Sequence, residues 1–417
     1  MEQSFIVYVD LEGDVIKVGQ LWSHYRNGKE NMSFEYDRSW LQHPKRFSLD
    51  PALKLFPGSF HASPDKPLFG AIDDSAPDRW GRLLMRRSER KNAEKEKRTP
   101  RSLREIDFLL MVDDEGRQGA LRFKREENGP FLSTYEKNHI PPLVTVGRLI
   151  SAVNHVLEES ESEEDLRLLL APGSSLGGAR PKASVKDKDG HLAIAKFQRK
   201  DDEIDVIRWE AVALTLASQA KIRVPKWRLE STKNQTFLLS RRFDRMKTIR
   251  IPFLSAMSAL GAQDNQTHSY LEIAEAIRQM STSPQEDLEE LWRRIVFNVL
   301  ISNVDDHLRN HAFLYTGLTG WRLSPAYDLN PTPVDIKPRV LSTTIDLQDP
   351  RASLDLAFDV ADYFGINNPQ AKKIVKEVSS VTASWRKEAI KFKIKKSEID
   401  RMGSAFEHED LQKAILL

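Results

Sequence analysis

Within residues 301–314, ISNVDDHLRNHAFL, an acid and an amide stand five residues apart at Asp305 and Asn310. Phosphoryl transfer uses that spacing: a carboxylate accepts the proton of an attacking hydroxyl, and an amide five residues on helps to hold magnesium. A second magnesium ligand should then follow within a short stretch of chain, and Asp328 in LSPAYDLN is placed to be it.

The remaining groups that such chemistry needs occur upstream, in the order it needs them. GSSLGGARPK, residues 173–182, is small and glycine-bearing, so backbone N–H groups at Gly177 and Gly178 can approach phosphate oxygens with no Cβ between. After a turn at 187–190, LAIAKF at 192–197 reads as an apolar strand whose Lys196 is placed to reach phosphates, much as the lysine of a V-A-I-K strand does. Glu210, in a helix-like run over 207–220, is a candidate partner for that lysine.

Other elements must hold these groups in place. The run 4–21 reads as a β-hairpin turning at Glu12-Gly13-Asp14, and 40–57 as loop. APDRWGR, residues 76–82, introduces a helix capped by Asp or Ser. The stretch 82–104 holds ten Lys or Arg against three Glu, a solvated helix in the plain reading and a basic patch for phosphate or an acidic partner in the sharper one. GALRF at 119–123 reads as a further strand, and the acidic run 158–165 as a solvated junction. Strands are expected at 224–229 and 236–243, with the chain crossing into a second lobe at Phe243-Asp244-Arg245. Ser283-Pro284-Gln285-Glu286 supplies an N-cap, a proline at the first helical position and a glutamate three residues on. Leu288, Leu291, Trp292, Ile295, Val296, Val299 and Leu300 then form one apolar face, so a buried helix delivers the chain to Asp305. A short strand pair is expected over 339–346 and helices over 353–416.

Composition sets the frame. A chain of 417 residues with 40% hydrophobic content is long enough for two or three domains. It has no apolar run near 18 residues and its MEQS start lacks a signal peptide's basic opening, so no membrane partner is expected. Zero cysteines exclude disulfides and thiolate metal sites and suit a reducing cytoplasm. A net charge of +2 gives no global case for nucleic-acid binding.

At these residues the sequence resembles the HipA family of bacterial Ser/Thr kinases, the toxin halves of type II toxin–antitoxin pairs. SSLGGARPKA is similar to the family's glycine-rich loop, NVDDHLRNHAF to its catalytic loop and PAYDLNP to its metal-binding segment. VGQL at 18–21, PDRWGR and GALRF are similar to signatures of its N-terminal accessory domain. The resemblance implies an α+β, two-lobed protein-kinase-like fold: a small β-rich accessory domain at 1–125, a mixed α/β N-lobe at 126–245 and an all-α C-lobe at 246–417. It implies Asp305 as catalytic base, Asn310 and Asp328 as Mg2+ ligands, Lys196 on the α/β-phosphates and Phe243 against adenine. ATP contacts are further implied for Ser175, Gly177, Gly178, Ala179, Lys182, Arg241, His307, Arg309 and Asn310, with autophosphorylation at Ser175 or its neighbour Ser174. Arg241 stands where some relatives carry an acidic hinge residue. The implied partners are a small helix-turn-helix antitoxin (HipB-like), through it operator DNA, and a protein substrate such as an aminoacyl-tRNA synthetase, whose modification halts translation and underlies persistence.

Two rival readings remain open on the sequence. Asp305, His307 and His311 together suit a metal-dependent hydrolase, since histidines four apart can share a helix face, but that reading leaves Lys196 and the glycine loop unused. A catalytically inactive, kinase-fold regulator is the other, although every catalytic position is filled. The absence of G-x4-G-K-[ST] disfavours a Walker-type NTPase.

Overall fold

A computed structural model describes the chain except residues 1, 64–65, 134–139, 174–177, 179, 233–234 and 318–319. The chain forms two compact units, one of residues 1–199, 230–261 and 314–318, the other of 200–229, 262–313 and 319–417.

The first unit opens with an antiparallel five-stranded sheet built from Glu2–Leu11, Asp14–Arg26, Lys29–Tyr36, Ser59–His61 and Leu121–Lys124, in the spatial order fourth, third, second, first, fifth. The expected hairpin is present, with φ of 57° at Glu12 and 96° at Gly13, the positive pair that a two-residue hairpin turn requires. A second turn of the same kind at Asn27-Gly28 adds a third strand that the sequence reading left unassigned.

Asp78 caps the helix Arg79–Lys95, its carboxylate accepting from Gly81 N at 2.7 Å. Trp80 and Leu84 on that helix enter one core with Leu149, Val153, Val185, Ala195, Phe197 and Leu239. Each such buried side chain contributes about 1.5–3 kcal/mol, which binds the helix to the sheet that carries Lys196. In that sheet Lys182–Lys186 pairs antiparallel with Leu192–Phe197, which in turn pairs with Thr236–Arg241. The basic stretch finds its acidic partner within the unit: Arg87 meets Glu161 at 2.7 Å and Lys95 meets Glu163 at 3.3 Å. It is a mutually neutralised surface.

The first unit continues past Arg245 to Gly261 because the segment after Phe243 is tied down by buried charge. Asp244 accepts from Arg242, Arg245 and Gly119 N, while the two guanidiniums donate to the carbonyls of Gly116, Arg117 and Gly119. Burial pushes the Asp244 carboxyl up, but Arg242 and Arg245 beside it bring it well below the usual carboxylate range.

The second unit is mostly helical. Its central helix, Pro284–Leu300, buries the apolar face expected, with Pro284 in the first turn. The expected capping box does not form: Ser283 makes no side-chain cap bond, and Glu286 turns outward to Arg322 at 2.8 Å. Asp287, wholly buried, accepts from Ser281 Oγ and Leu323 N at 2.7 and 2.9 Å and so ties the helix start to its neighbours. Residues 339–346 do not pair with themselves; Thr343–Thr344 pairs in parallel with His268–Ser269. An all-α second part is therefore corrected to helices interrupted by short extended stretches, Ala312–Tyr315 and Trp321–Leu323 among them. They flank the loops 301–311 and 324–333, the second of which holds Pro325, Pro331 and Pro333, residues that do not continue a helix. Six helices follow from Leu354–Asp359 to Glu409–Leu416, and Gly365, at φ 71°, ends the 3-10 turn Ala361–Phe364.

Candidate active site

Asp305 and Asp306 are neighbours with opposite environments. The Asp305 carboxylate is 67% exposed and meets Lys337 Nζ at 2.9 Å. Asp306 is buried, and its Oδ2 accepts from Tyr270 Oη at 2.6 Å, Asn298 Nδ2 at 2.8 Å and His311 Nε2 at 2.7 Å. Burial raises the Asp306 carboxyl, but His311 and then Tyr270 hold it below the ordinary carboxylate range. The Asp306 backbone carbonyl is held as well, by Thr343 Oγ1 at 2.7 Å. Such a fully accepted buried carboxylate anchors the loop and leaves Asp305 projecting from it.

Asn310 closes the loop. It sits in the 3-10 turn Leu308–Asn310, and its Nδ2 donates to the Asp305 carbonyl at 3.3 Å. The nitrogen of the amide is thereby spent on the loop, which leaves its oxygen side for a cation.

Asp328 is reached by a second extended stretch that is fastened at several points. Tyr327 Oη donates to Arg309 O at 2.6 Å, and Asn330 N donates to Asn303 Oδ1 at 3.1 Å. Asn303 in turn donates to Asn298 Oδ1 on the central helix at 3.0 Å, so one asparagine ties helix, the loop that starts at Ile301 and the Asp328 segment together. Asp328 has φ 61°, a left-handed conformation for a residue with a Cβ. Strain of that kind costs about 1–3 kcal/mol and persists where the surroundings over-determine it, which is common in functional sites. Asn330 Nδ2 lies 3.3 Å from Asp328 Oδ1.

The other sequence candidates fall as follows. Arg309 pairs with Asp264 at 2.5 Å, and His307 Nδ1 has no hydrogen-bond partner among the described residues. In the first unit Lys182 is a Cα partner of Lys196 across adjacent strands, and its Nζ meets Asp78 at 2.9 Å. Arg241 Nη2 lies 2.6 Å from the His191 ring, and Phe243 stacks near Phe253 with centroids 6.5 Å apart. Glu210 is buried in the helix Val206–Gln219 of the second unit. Ser174, Ser175, Gly177 and Ala179 lie outside the described residues; Gly178 is described and has φ 93°.

His311 is committed to Asp306 and stands edge-on to Tyr270 at 5.7 Å, so it acts as part of a buried scaffold, not as half of a two-histidine metal pair with His307. Among the described residues no group of three or more His, Asp or Glu side chains is arranged to hold a metal ion by itself. Sequence reasoning missed Tyr270, Asn298, Asn303 and Lys337. Asn298 carried a signal, a lone amide inside the apolar run IVFNVL, whereas Tyr270 and Lys337 join the site only through folding.

With this geometry in hand, similarity to known proteins narrows the reading. Residues 9–123 match the HipA N-terminal domain family, and residues 174–385 match the HipA-like C-terminal domain family. A protein of Sinorhizobium fredii named putative kinase Y4mE is 25% identical over 349 residues, covering 78% of this chain and 77% of its own. A Haemophilus influenzae protein named putative kinase is 34% identical over a shorter stretch of 86 residues, 21% of this chain and 24% of its own. Among solved structures, the Shewanella oneidensis HipA, in its complex with HipB and operator DNA, superposes with a TM-score of 0.64 at 14% identity, over 98% of this chain and 96% of that one. That likeness shows a shared mixed α/β fold. No helix among the described residues is long and apolar enough to cross a membrane. Matched over more than half its length by the C-terminal family alone, the chain belongs to the HipA family of kinase-like proteins.

Proposed function

We propose that this protein is a magnesium-dependent Ser/Thr protein kinase that transfers the γ-phosphoryl group of ATP to a protein hydroxyl. The observation that carries the reading is the split between the two acids: Asp306 is locked into the scaffold, while Asp305 presents an accessible carboxylate on a loop whose carbonyl is held by Asn310. Asp305 accepts the proton of the attacking hydroxyl. Asn310 and Asp328 offer oxygen donors, which fit a hard divalent cation such as Mg2+ and not a thiolate- or imidazole-preferring metal. When bound, magnesium neutralises charge on the phosphates. Lys196 supplies a cation for the α/β-phosphates, Gly177 and Gly178 supply loop amides, and Phe243 lies against adenine. The three-part division at 125 and 245 belongs to the same proposal. So does the two-lobed kinase architecture. Catalysis of this kind is mostly positioning and charge neutralisation, which is why the hydrogen-bonded scaffold matters as much as the base.

Family membership supports a toxin role, and the solved complex of a HipA with HipB and operator DNA supports an antitoxin partner, here proposed to be a small helix-turn-helix protein through which operator DNA is reached, in the cytoplasm. A translation component such as an aminoacyl-tRNA synthetase is the proposed substrate, and Ser175 or Ser174 the proposed site of autophosphorylation. Calorimetric titration with ATP tests the reading: binding strengthened by magnesium in the native chain, with the magnesium effect lost in Asp328→Ala, is expected. Phosphopeptide mass spectrometry after incubation with ATP should find phosphate on Ser175 or Ser174. A native chain indifferent to ATP and magnesium would refute the proposal.

A further inference from the structure

The PDRWG motif has no role in the chemistry described so far, yet it ends directly against a lysine of the nucleotide-facing sheet. Lys182 and Lys196 are Cα partners on antiparallel strands, so their side chains leave the sheet on the same face, an arrangement that is unfavourable for like charges. The Lys182 side chain is only 4% exposed, and a buried ammonium requires a counter-charge. Asp78 provides it at 2.9 Å from a carboxylate that is itself 5% exposed. Asp78 is fixed in turn by capping the helix at Gly81 N, and Trp80 Nε1 donates to the carbonyl of Lys182 at 3.2 Å, so the helix start grips both ends of the same residue. A Cβ placed on Gly178 would stand 3.1 Å from Lys182 Nζ, which puts the ammonium directly against that backbone.

We propose that Asp78 is a positioning residue for nucleotide binding: its carboxylate fixes the Lys182 ammonium beside Gly178 and neutralises one of two facing lysines within the protein. The inference rests on the kinase reading and adds to it a residue from the N-terminal part of the chain. Asp78 touches no nucleotide; it acts through Lys182.

The test uses the full-length chain and a non-hydrolysable ATP analogue with magnesium. Asp78→Ser and Asp78→Asn both retain a side-chain oxygen that can cap the helix while removing the charge. Both are expected to weaken analogue binding at least tenfold in protein that is still folded at the assay temperature, and in turnover assays to raise KM for ATP far more than they lower kcat. The double variant Asp78→Asn/Lys182→Met is expected to bind no more weakly than Asp78→Asn alone. Native affinity in both Asp78 variants, an affinity loss that merely tracks lost thermal stability, or losses that multiply in the double variant would overturn the role of Asp78. A native chain that binds no analogue overturns the kinase reading, and this inference with it.

Discussion

Replacing Asp306 by asparagine tests the scaffold argument at its most exposed point. Three buried donors converge on one carboxylate oxygen, from Tyr270, Asn298 and His311. An amide oxygen keeps the shape but carries no charge, and the NH2 group beside it brings donors into a site that supplies donors already. A buried donor left without a partner costs about 1–3 kcal/mol, and bonds to a charged group are at the upper end, so losing one or two of the three should cost about 2–5 kcal/mol. Asp305→Asn removes instead a single exposed ion pair with Lys337, worth about 0–1 kcal/mol. Urea unfolding of the two variants should therefore separate them by at least about 2 kcal/mol, with Asp306→Asn the less stable. Phosphoryl-transfer rates should show the reverse selectivity, Asp305→Asn folding normally while losing activity. Stability of Asp306→Asn within about 0.5 kcal/mol of native, the scatter of neutral surface changes, would refute the claim that this network anchors the loop.

Further outcomes follow from other parts of the molecule. Lys337→Ala should leave the urea midpoint nearly unchanged and lower kcat several-fold, because Lys337 is the cation nearest the proposed base; an unchanged kcat contradicts this. Burial, aided by Arg339, lowers the His408 imidazole from 6.5 to about 4, so the folded state resists a proton that the unfolded state accepts. Its contribution is complete above pH 6.5 and declines as pH falls toward 4, by about 3 kcal/mol in all, and His408→Gln should flatten that part of a stability–pH curve. His311→Ala should lose stability rather than a metal, and elemental analysis of the native protein should find no stoichiometric zinc, iron or manganese; finding one would revive the hydrolase reading. Gly178→Ala should weaken ATP binding, since it forces a side chain into φ 93° and against Lys182 Nζ; native affinity would show that this backbone conformation is not needed.

Much of the candidate site was legible because the elements that carry its residues are marked by patterns local in sequence. The Asp305–Asn310 spacing, the Lys196 strand and the Pro284 helix all depend on residues a few positions apart, and their patterns survive folding. The supports were not legible for the opposite reason. Tyr270 reaches Asp306 across 36 residues and Lys337 reaches Asp305 across 32, and no local pattern marks either. The capping box at Ser283 failed because a tertiary partner, Arg322, competes for Glu286, while nothing local marks Asp287 as the acid that is buried. The charge runs 82–104 and 158–165 looked like separate solvated faces because neutralisation of one by the other needs the fold. Asn27-Gly28, by contrast, was a hairpin signal present in the sequence and left unused.

The central claim is that Asp305 is the base of a phosphoryl transfer. Incubation with γ-labelled ATP and magnesium, for the native chain and for Asp305→Ala in parallel, followed by counting label on the protein itself and on proteins of a bacterial lysate, addresses it most directly. The account predicts label transfer by the native chain and a fall of about 100-fold or more in Asp305→Ala, with ATP still bound by the variant. Equal labelling by both chains, or none by the native one, would contradict it.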